Sequence, residues 1–111
     1  MTRTPLDILV VDDTPDCCAI LRAMLEANGC RVRVAENGPA AREQLAAQRP
    51  DVMLLDVMMP GMSGLEVLER VRAMPPVANL PVILLTARSS DDDMVCGYQH
   101  GADYYIPKPF T

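Results

Sequence analysis

No apolar run in the chain approaches the roughly 18–20 residues that a membrane-spanning helix requires. The start, Met1-Thr2-Arg3-Thr4-Pro5-Leu6-Asp7, lacks the long apolar stretch of a signal peptide, and the first apolar run, Ile8 to Val11, ends in two aspartates. These absences point to a cytoplasmic protein. Positive charge is also scarce: 10 Lys and Arg stand against 15 Asp and Glu, a net charge of -5. That balance argues against direct binding of nucleic acid or an anionic membrane surface by this domain. Four cysteines, Cys17, Cys18, Cys30 and Cys96, form no Cys-x-x-Cys pair and no zinc spacing, so they read as reduced structural thiols, with Cys17 a small core filler. There is no phosphate-binding Gly-x-x-x-x-Gly-Lys loop, no Gly-x-Ser-x-Gly elbow and no internal repeat. His100, the single histidine, sits beside Gly101 at a helix end, where a surface role is expected.

What is present is an alternation of short elements. At 111 residues, 50% of them hydrophobic, the chain has material for one core and no second. Ile8-Leu9-Val10-Val11, Val52-Met53-Leu54-Leu55 and Val82-Ile83-Leu84-Leu85 are continuous apolar runs, the pattern of strands buried on both faces. Val32 and Val34 alternate with Arg31 and Arg33, which marks a short, half-exposed edge strand, and Tyr104-Tyr105-Ile106 predicts a fifth strand. Helical patterns fill the gaps. Thr14 as cap and Pro15 in the first turn open a helix with an apolar stripe of Cys17, Ile20, Leu21, Met24 and Leu25, which Asn28-Gly29 ends. A second follows Asn37-Gly38-Pro39 and carries Ala41 and Leu45. A third carries Leu65, Leu68 and Val71 and stops at Pro75-Pro76. A fourth, capped by Ser90 with Asp91-Asp92-Asp93 in its first turn, runs to Gly101.

Short connections between buried strands require a parallel sheet with helices on both faces. The expected fold is therefore α/β, a doubly wound five-stranded parallel sheet in the flavodoxin-like order 2-1-3-4-5. In that order the second strand lies at an edge, as its alternation requires.

The buried strands end in polar residues: Asp12-Asp13, Asp56 and Thr86, while Lys108 follows the fifth. Sites in such sheets form at the carboxyl ends of the strands beside the switch point, here between strands one and three, so Asp12, Asp13 and Asp56 are expected in one crevice. Taken singly, an Asp-Asp pair is an ordinary loop start, Asp56 before Pro60-Gly61 a turn former, and Thr86 a helix cap. Their matched positions carry the inference. Three neighbouring carboxylates repel, and a cation among them lets all three stay ionised. All-oxygen ligands favour Mg²⁺, or Mn²⁺, over zinc. One lysine cannot neutralise three acids, but it can meet an incoming anion as a point charge. Carboxylates, a lysine and a hydroxyl describe a site for a phosphoryl group. The methionines Met53, Met58, Met59 and Met62 read as packing, since thioether sulfur suits soft ions.

The segments Val10-Val11-Asp12-Asp13, Leu54-Leu55-Asp56-Val57-Met58-Met59-Pro60-Gly61-Met62-Ser63-Gly64, Pro81-Val82-Ile83-Leu84-Leu85-Thr86-Ala87 and Gly101-Ala102-Asp103-Tyr104-Tyr105-Ile106-Pro107-Lys108-Pro109-Phe110 resemble, in order and spacing, the motifs of the response-regulator receiver family of two-component signalling. The resemblance covers essentially the whole chain and implies a CheY-like receiver domain over residues 1–111. It implies that Asp56 accepts a phosphoryl group from the phosphohistidine of a sensor kinase or phosphotransfer protein. It also implies that Asp13, Asp56 and the main-chain carbonyl of Met58 hold Mg²⁺, with Asp12 acting through a water. Lys108 and Thr86 would contact the phosphoryl oxygens, Tyr105 would turn inward as Thr86 moves, and the Lys108-Pro109 bond would be cis. Met58 and Arg88 occupy the positions that tune phosphate lifetime. Such a protein is a signalling phosphoacceptor that turns over no external substrate and passes its state to an output domain or downstream protein. The alternatives are a Mg²⁺-dependent phosphohydrolase with an aspartyl nucleophile, which would need a cap or insertion, and a degenerate receiver that ignores phosphate, against which the presence of Asp12, Asp13, Asp56, Thr86 and Lys108 speaks. Receivers continue after Lys-Pro-Phe into a fifth helix, and this sequence stops at Thr111. Without that helix one apolar face is expected to need cover, most simply from a second copy in a symmetric dimer.

Overall fold

The computed structural model of the chain describes residues 5–57, 64–86 and 102–107, and at Pro76, Thr86, Tyr105 and Pro107 it describes backbone placement only. Within these residues the elements are β1 (Asp7–Val11), α1 (Pro15–Ala27), β2 (Arg31–Ala35), α2 (Gly38–Ala47), β3 (Val52–Asp56), α3 (Gly64–Arg72), a 3₁₀ turn (Pro75–Val77), β4 (Val82–Thr86) and β5 (Tyr104–Pro107). The fourth helix expected between Ser90 and Gly101 lies outside the described residues. All five strands pair in parallel in the order β2-β1-β3-β4-β5, the doubly wound order expected from the sequence.

The continuous apolar strands bury both faces because helices cover both. On one face α2 and α3 place Ala41, Leu45, Val67, Leu68 and Val71 over Leu9, Val11, Met53, Leu55, Val82 and Leu84. On the other, α1 places Cys18 and Leu21 over Ile8, Val10, Leu54 and Leu85. Successive strand residues point to opposite faces, so each apolar run divides itself between the two cores.

Helix α1 departs from expectation in rotation. Its buried residues are Cys18 and Leu21, joined by half-buried Leu25, whereas Cys17 is half-buried and Ile20 and Met24 are 49% and 48% exposed. The apolar arc is wider than its contact with the sheet, and only one flank of it packs. Cys18, not Cys17, is the core thiol. Thr14 does occupy the N-cap position with extended backbone, but its side chain makes no capping bond; in α2, Asn37 Oδ1 accepts from the Ala40 N–H at 2.8 Å.

Two polar latches close the end of the sheet where the strands begin. Arg33 on the edge strand donates through Nε and Nη2 to Asp7 Oδ1 and Oδ2 at 3.1 and 3.0 Å, and through Nη1 and Nη2 to the Gln44 and Gln48 carbonyls. Gln48 Nε2 also donates to Asp7, so β1, β2 and the end of α2 are tied at one buried carboxylate. Arg72 does the same for α3, reaching the Ala78 and Leu80 carbonyls and Asp103, whose carboxylate also accepts the Val82 N–H. Alternation showed Arg33 as an exposed edge residue, and its side chain is instead three-quarters covered. Arg33→Met strands a carboxylate that is 10% exposed, and a loss of about 2 kcal/mol is expected, below the full cost of breaking a buried pair because water reaches the site. Urea denaturation measures it, and a loss under about 0.5 kcal/mol would place the pair among solvent-screened bridges.

Candidate functional site

The register of the parallel ladder decides which strand ends meet. Val11 pairs with Leu55, so Asp12 and Asp56, each one residue further on, leave adjacent strands side by side. Asp56 pairs with Leu85, which puts the backbone of Thr86 one step beyond the acid on its other flank, and Thr86 pairs with Pro107. Adjacent strands lie about 4.8 Å apart, so these neighbours share one crevice at the switch between β1 and β3.

Carboxylate oxygens of Asp12, Asp13 and Asp56 all lie within 4.8 Å of one another. Asp12 is fully buried and Asp56 is 3% exposed, while Asp13 is partly open to solvent. The cluster therefore has a closed floor and one accessible side. Both buried acids are held: the described residues include no buried side-chain nitrogen or oxygen without a hydrogen-bond partner. Asp12 is fixed at three points. Its N–H donates to the Ala35 carbonyl at 3.1 Å, its Oδ1 accepts the Thr14 N–H at 2.9 Å, and its carbonyl accepts from Cys18 Sγ at 3.3 Å. Helix α1 thus starts against the acid it helps to place.

Asp56 is positioned by backbone. The next residue, Val57, donates to the Leu85 carbonyl at 2.9 Å and extends the β3–β4 ladder past the acid. Its own carbonyl accepts the Gly64 N–H at 2.9 Å, which clamps the start of α3 onto the end of β3. At Gly64 an added Cβ would lie 2.8 Å from the Asp56 carbonyl carbon and from Val57 Cα, and closer still to the Asp56 carbonyl oxygen. Only glycine fits there. Sequence reading gave Gly64 only as the last residue of the segment from Leu54 and assigned it no role. The available clue was a glycine opening an amphipathic helix just after an acid-ending strand. Cys18 was likewise missed as a contact of the site, because nothing in α1's periodicity separates it from Cys17.

Asp12, Asp13 and Asp56 are brought together as expected. Of the other expected site residues, Thr86 and Tyr105 lie in β4 and β5 with only their backbones described. Met58 and Lys108 fall outside the described residues, as do Arg88 and the Lys108-Pro109 bond. An all-oxygen set of three carboxylates, two of them buried, fits a hard divalent ion and offers nothing to a soft one.

Among the described residues no helix is long and apolar enough to cross a membrane. Residues 8–111 match the family model described as "Response regulator receiver domain". The chain is 45% identical over 107 residues to response regulator MprA of Mycolicibacterium vanbaalenii, covering 96% of this chain and 46% of that protein. The chain thus spans about half the length of that relative. Its fold matches chemotaxis protein CheY4 of Vibrio cholerae with a TM-score of 0.93 at 30% identity, covering 97% of this chain and 90% of that one. It matches the Mn²⁺-bound form of response regulator Rcp1 with a TM-score of 0.84 at 27% identity, covering 96% and 84%. With the strand order and the acidic crevice already in place, the family model and the relatives agree: the chain belongs to the response-regulator receiver family of two-component signalling.

Proposed function

We propose that residues 1–111 form one receiver domain in which Asp56 is the phosphoryl acceptor and Mg²⁺ the required ion. The observation that carries this reading is the convergence of Asp12, Asp13 and Asp56 within 4.8 Å at the carboxyl ends of β1 and β3. Asp13, Asp56 and the Met58 carbonyl would hold Mg²⁺, or Mn²⁺, with Asp12 acting through a water. The Mn²⁺-bound form recorded for Rcp1 supports a hard ion in this fold. Such an ion, when bound, neutralises carboxylate and phosphoryl charge in a crevice where repulsion would otherwise keep them apart.

The transfer itself is a displacement at phosphorus. A carboxylate oxygen of Asp56 forms a bond to phosphorus as the bond to the donor's histidine nitrogen breaks, and the departing imidazole keeps the electron pair and takes up a proton. Apart from Asp56, the side chains of the site position rather than react. Lys108 pairs with the phosphoryl oxygens, and Thr86, one register step past Asp56, donates a hydrogen bond to one of them. Those contacts exist only in the phosphorylated state, so they shift the balance between two conformations, with Tyr105 on β5 following Thr86. The domain is then a cytoplasmic switch between a sensor kinase or phosphotransfer protein and an output domain or downstream protein. It catalyses only its own phosphorylation and dephosphorylation.

Acetyl phosphate with Mg²⁺, followed by peptide mapping in a mass spectrometer, tests the reading. The expected result is a single acid-stable, base-labile phosphate on Asp56 that fails to form in EDTA. A phosphate on another residue, or equal labelling with and without the ion, overturns it.

A further inference from the structure

Two bonds from different elements hold the main chain of Asp12. The Ala35 carbonyl at the end of β2 accepts its N–H at 3.1 Å, and Cys18, in the first turn of α1, donates from Sγ to its carbonyl at 3.3 Å. A carbonyl only accepts, so the thiol is the donor. The Cys18 N–H also reaches the Thr14 carbonyl at 3.1 Å, and the Thr14 N–H reaches Asp12 Oδ1 at 2.9 Å. Residues 12, 14 and 18 thus close a ring of three hydrogen bonds that fixes both the carbonyl and the carboxylate of one buried acid against the start of a helix. The Thr14 side chain makes no capping bond, so a side-chain tie between α1 and Asp12 comes from the thiol.

We propose that Cys18 is a positioning residue of the ion site: by holding the Asp12 carbonyl, its thiol keeps the Asp12 carboxylate beside Asp13 and Asp56. This rests on the reading of those three acids as a divalent-ion site. The competing role for Cys18 is packing, because it is buried with Leu21 over Ile8, Val10, Leu54 and Leu85. The two roles rank substitutes in opposite orders. If packing is what matters, an apolar valine is the best replacement and serine the worst, since its hydroxyl is a polar group in an apolar core. If the donated bond is what matters, serine keeps a donor, whereas valine and alanine lose it. Cys17, a half-buried thiol one residue away, supplies the control.

The test is a Mn²⁺ titration read by electron paramagnetic resonance, with Mg²⁺ as competitor, on wild type, Cys18→Ser, Cys18→Val, Cys18→Ala and Cys17→Ala. Wild type and Cys17→Ala are expected to bind alike. Cys18→Val and Cys18→Ala are expected to bind about fivefold more weakly, the factor that one net hydrogen bond supplies, and Cys18→Ser to stay within about twofold of wild type. Urea denaturation in EDTA reads the fold separately. There Cys18→Ser is expected to be no more stable than Cys18→Val, although it binds the ion more tightly. A residue that only packs does not produce that split. An apolar variant that fails to fold leaves the other to be compared with Cys18→Ser. Cys18→Ser binding as weakly as Cys18→Val, or failing to fold, overturns the proposal, as does an equal loss in Cys17→Ala. Equal affinity in all five proteins removes Cys18 from the site while leaving the acids as its ligands. Absence of Mn²⁺ binding by wild type overturns the ion reading and this proposal with it.

Discussion

Gly64→Val is expected to cost about 3 kcal/mol or more and to abolish phosphate incorporation at Asp56, the upper end of what overpacking does to a core. The reason is the identity of the atoms that a side chain would meet. They are the Asp56 carbonyl group and Val57 Cα, all of them backbone, so no flexible side-chain tip can swing aside. Either β3 or α3 must move, and both are fixed elsewhere. Val57 is hydrogen-bonded to Leu85 across the sheet, and α3 buries Val67, Leu68 and Val71 against the core. Displacing β3 also moves the acceptor away from Asp12. Gly29 supplies the contrast. It ends α1 with φ of 84°, and an added Cβ there meets nothing within 4 Å. Gly29→Ala is expected to cost about 1 kcal/mol through backbone conformation alone and to leave phosphorylation unchanged. Urea denaturation and acetyl phosphate labelling of both variants separate the two cases. A Gly64→Val protein within about 1 kcal/mol of wild type that labels normally would mean that α3 can retreat without disturbing the site.

The same residue shows where sequence reading reaches its limit. Strand order was legible because three continuous apolar runs and one alternating run can be arranged in few ways once connections are short. The acidic crevice was legible because strand register transmits chain position directly: acids that follow apolar runs of equal length leave the sheet together. Helix rotation carries no such constraint. In α1, Cys17, Ile20, Leu21, Met24 and Leu25 form one broad apolar arc, and only the packing partners reveal that Cys18, Leu21 and Leu25 face the sheet. The Arg33–Asp7 latch was hidden for a related reason. An arginine on an edge strand reads as solvated, and its carboxylate partner lies 26 residues away in the chain. Gly64 was hidden because close backbone approach leaves no mark on composition. Local chemistry announces itself in sequence, whereas contacts between elements appear only when the elements have been placed.

Asp13 offers the sharpest test of the ion, because it is the cluster member that can be neutralised without orphaning a neighbour. It is partly open to solvent and forms no hydrogen bond or ion pair among the described residues, whereas Asp12 is bonded at three points and Asp56 is nearly closed off. Without a divalent ion, Asp13 is only a third negative charge within 4.8 Å of two others. Removing it relieves two repulsions worth about 2 kcal/mol together, close to their value in water and below that for pairs at the protein surface. Asp13→Asn is therefore expected to be more stable than wild type in EDTA. With Mg²⁺ the advantage shrinks, since the variant has lost an anionic ligand. If its affinity falls about tenfold, an ion concentration 100 times the wild-type Kd stabilises wild type by about 2.7 kcal/mol and the variant by about 1.4 kcal/mol. Thermal melts across a Mg²⁺ series read both effects in one experiment, as a higher starting Tm and a shallower rise. Labelling by acetyl phosphate at limiting Mg²⁺ should fall in parallel. A variant that gains as much from Mg²⁺ as wild type would remove Asp13 from the ligand set. One that is less stable in EDTA would show that the three acids do not strain the resting fold.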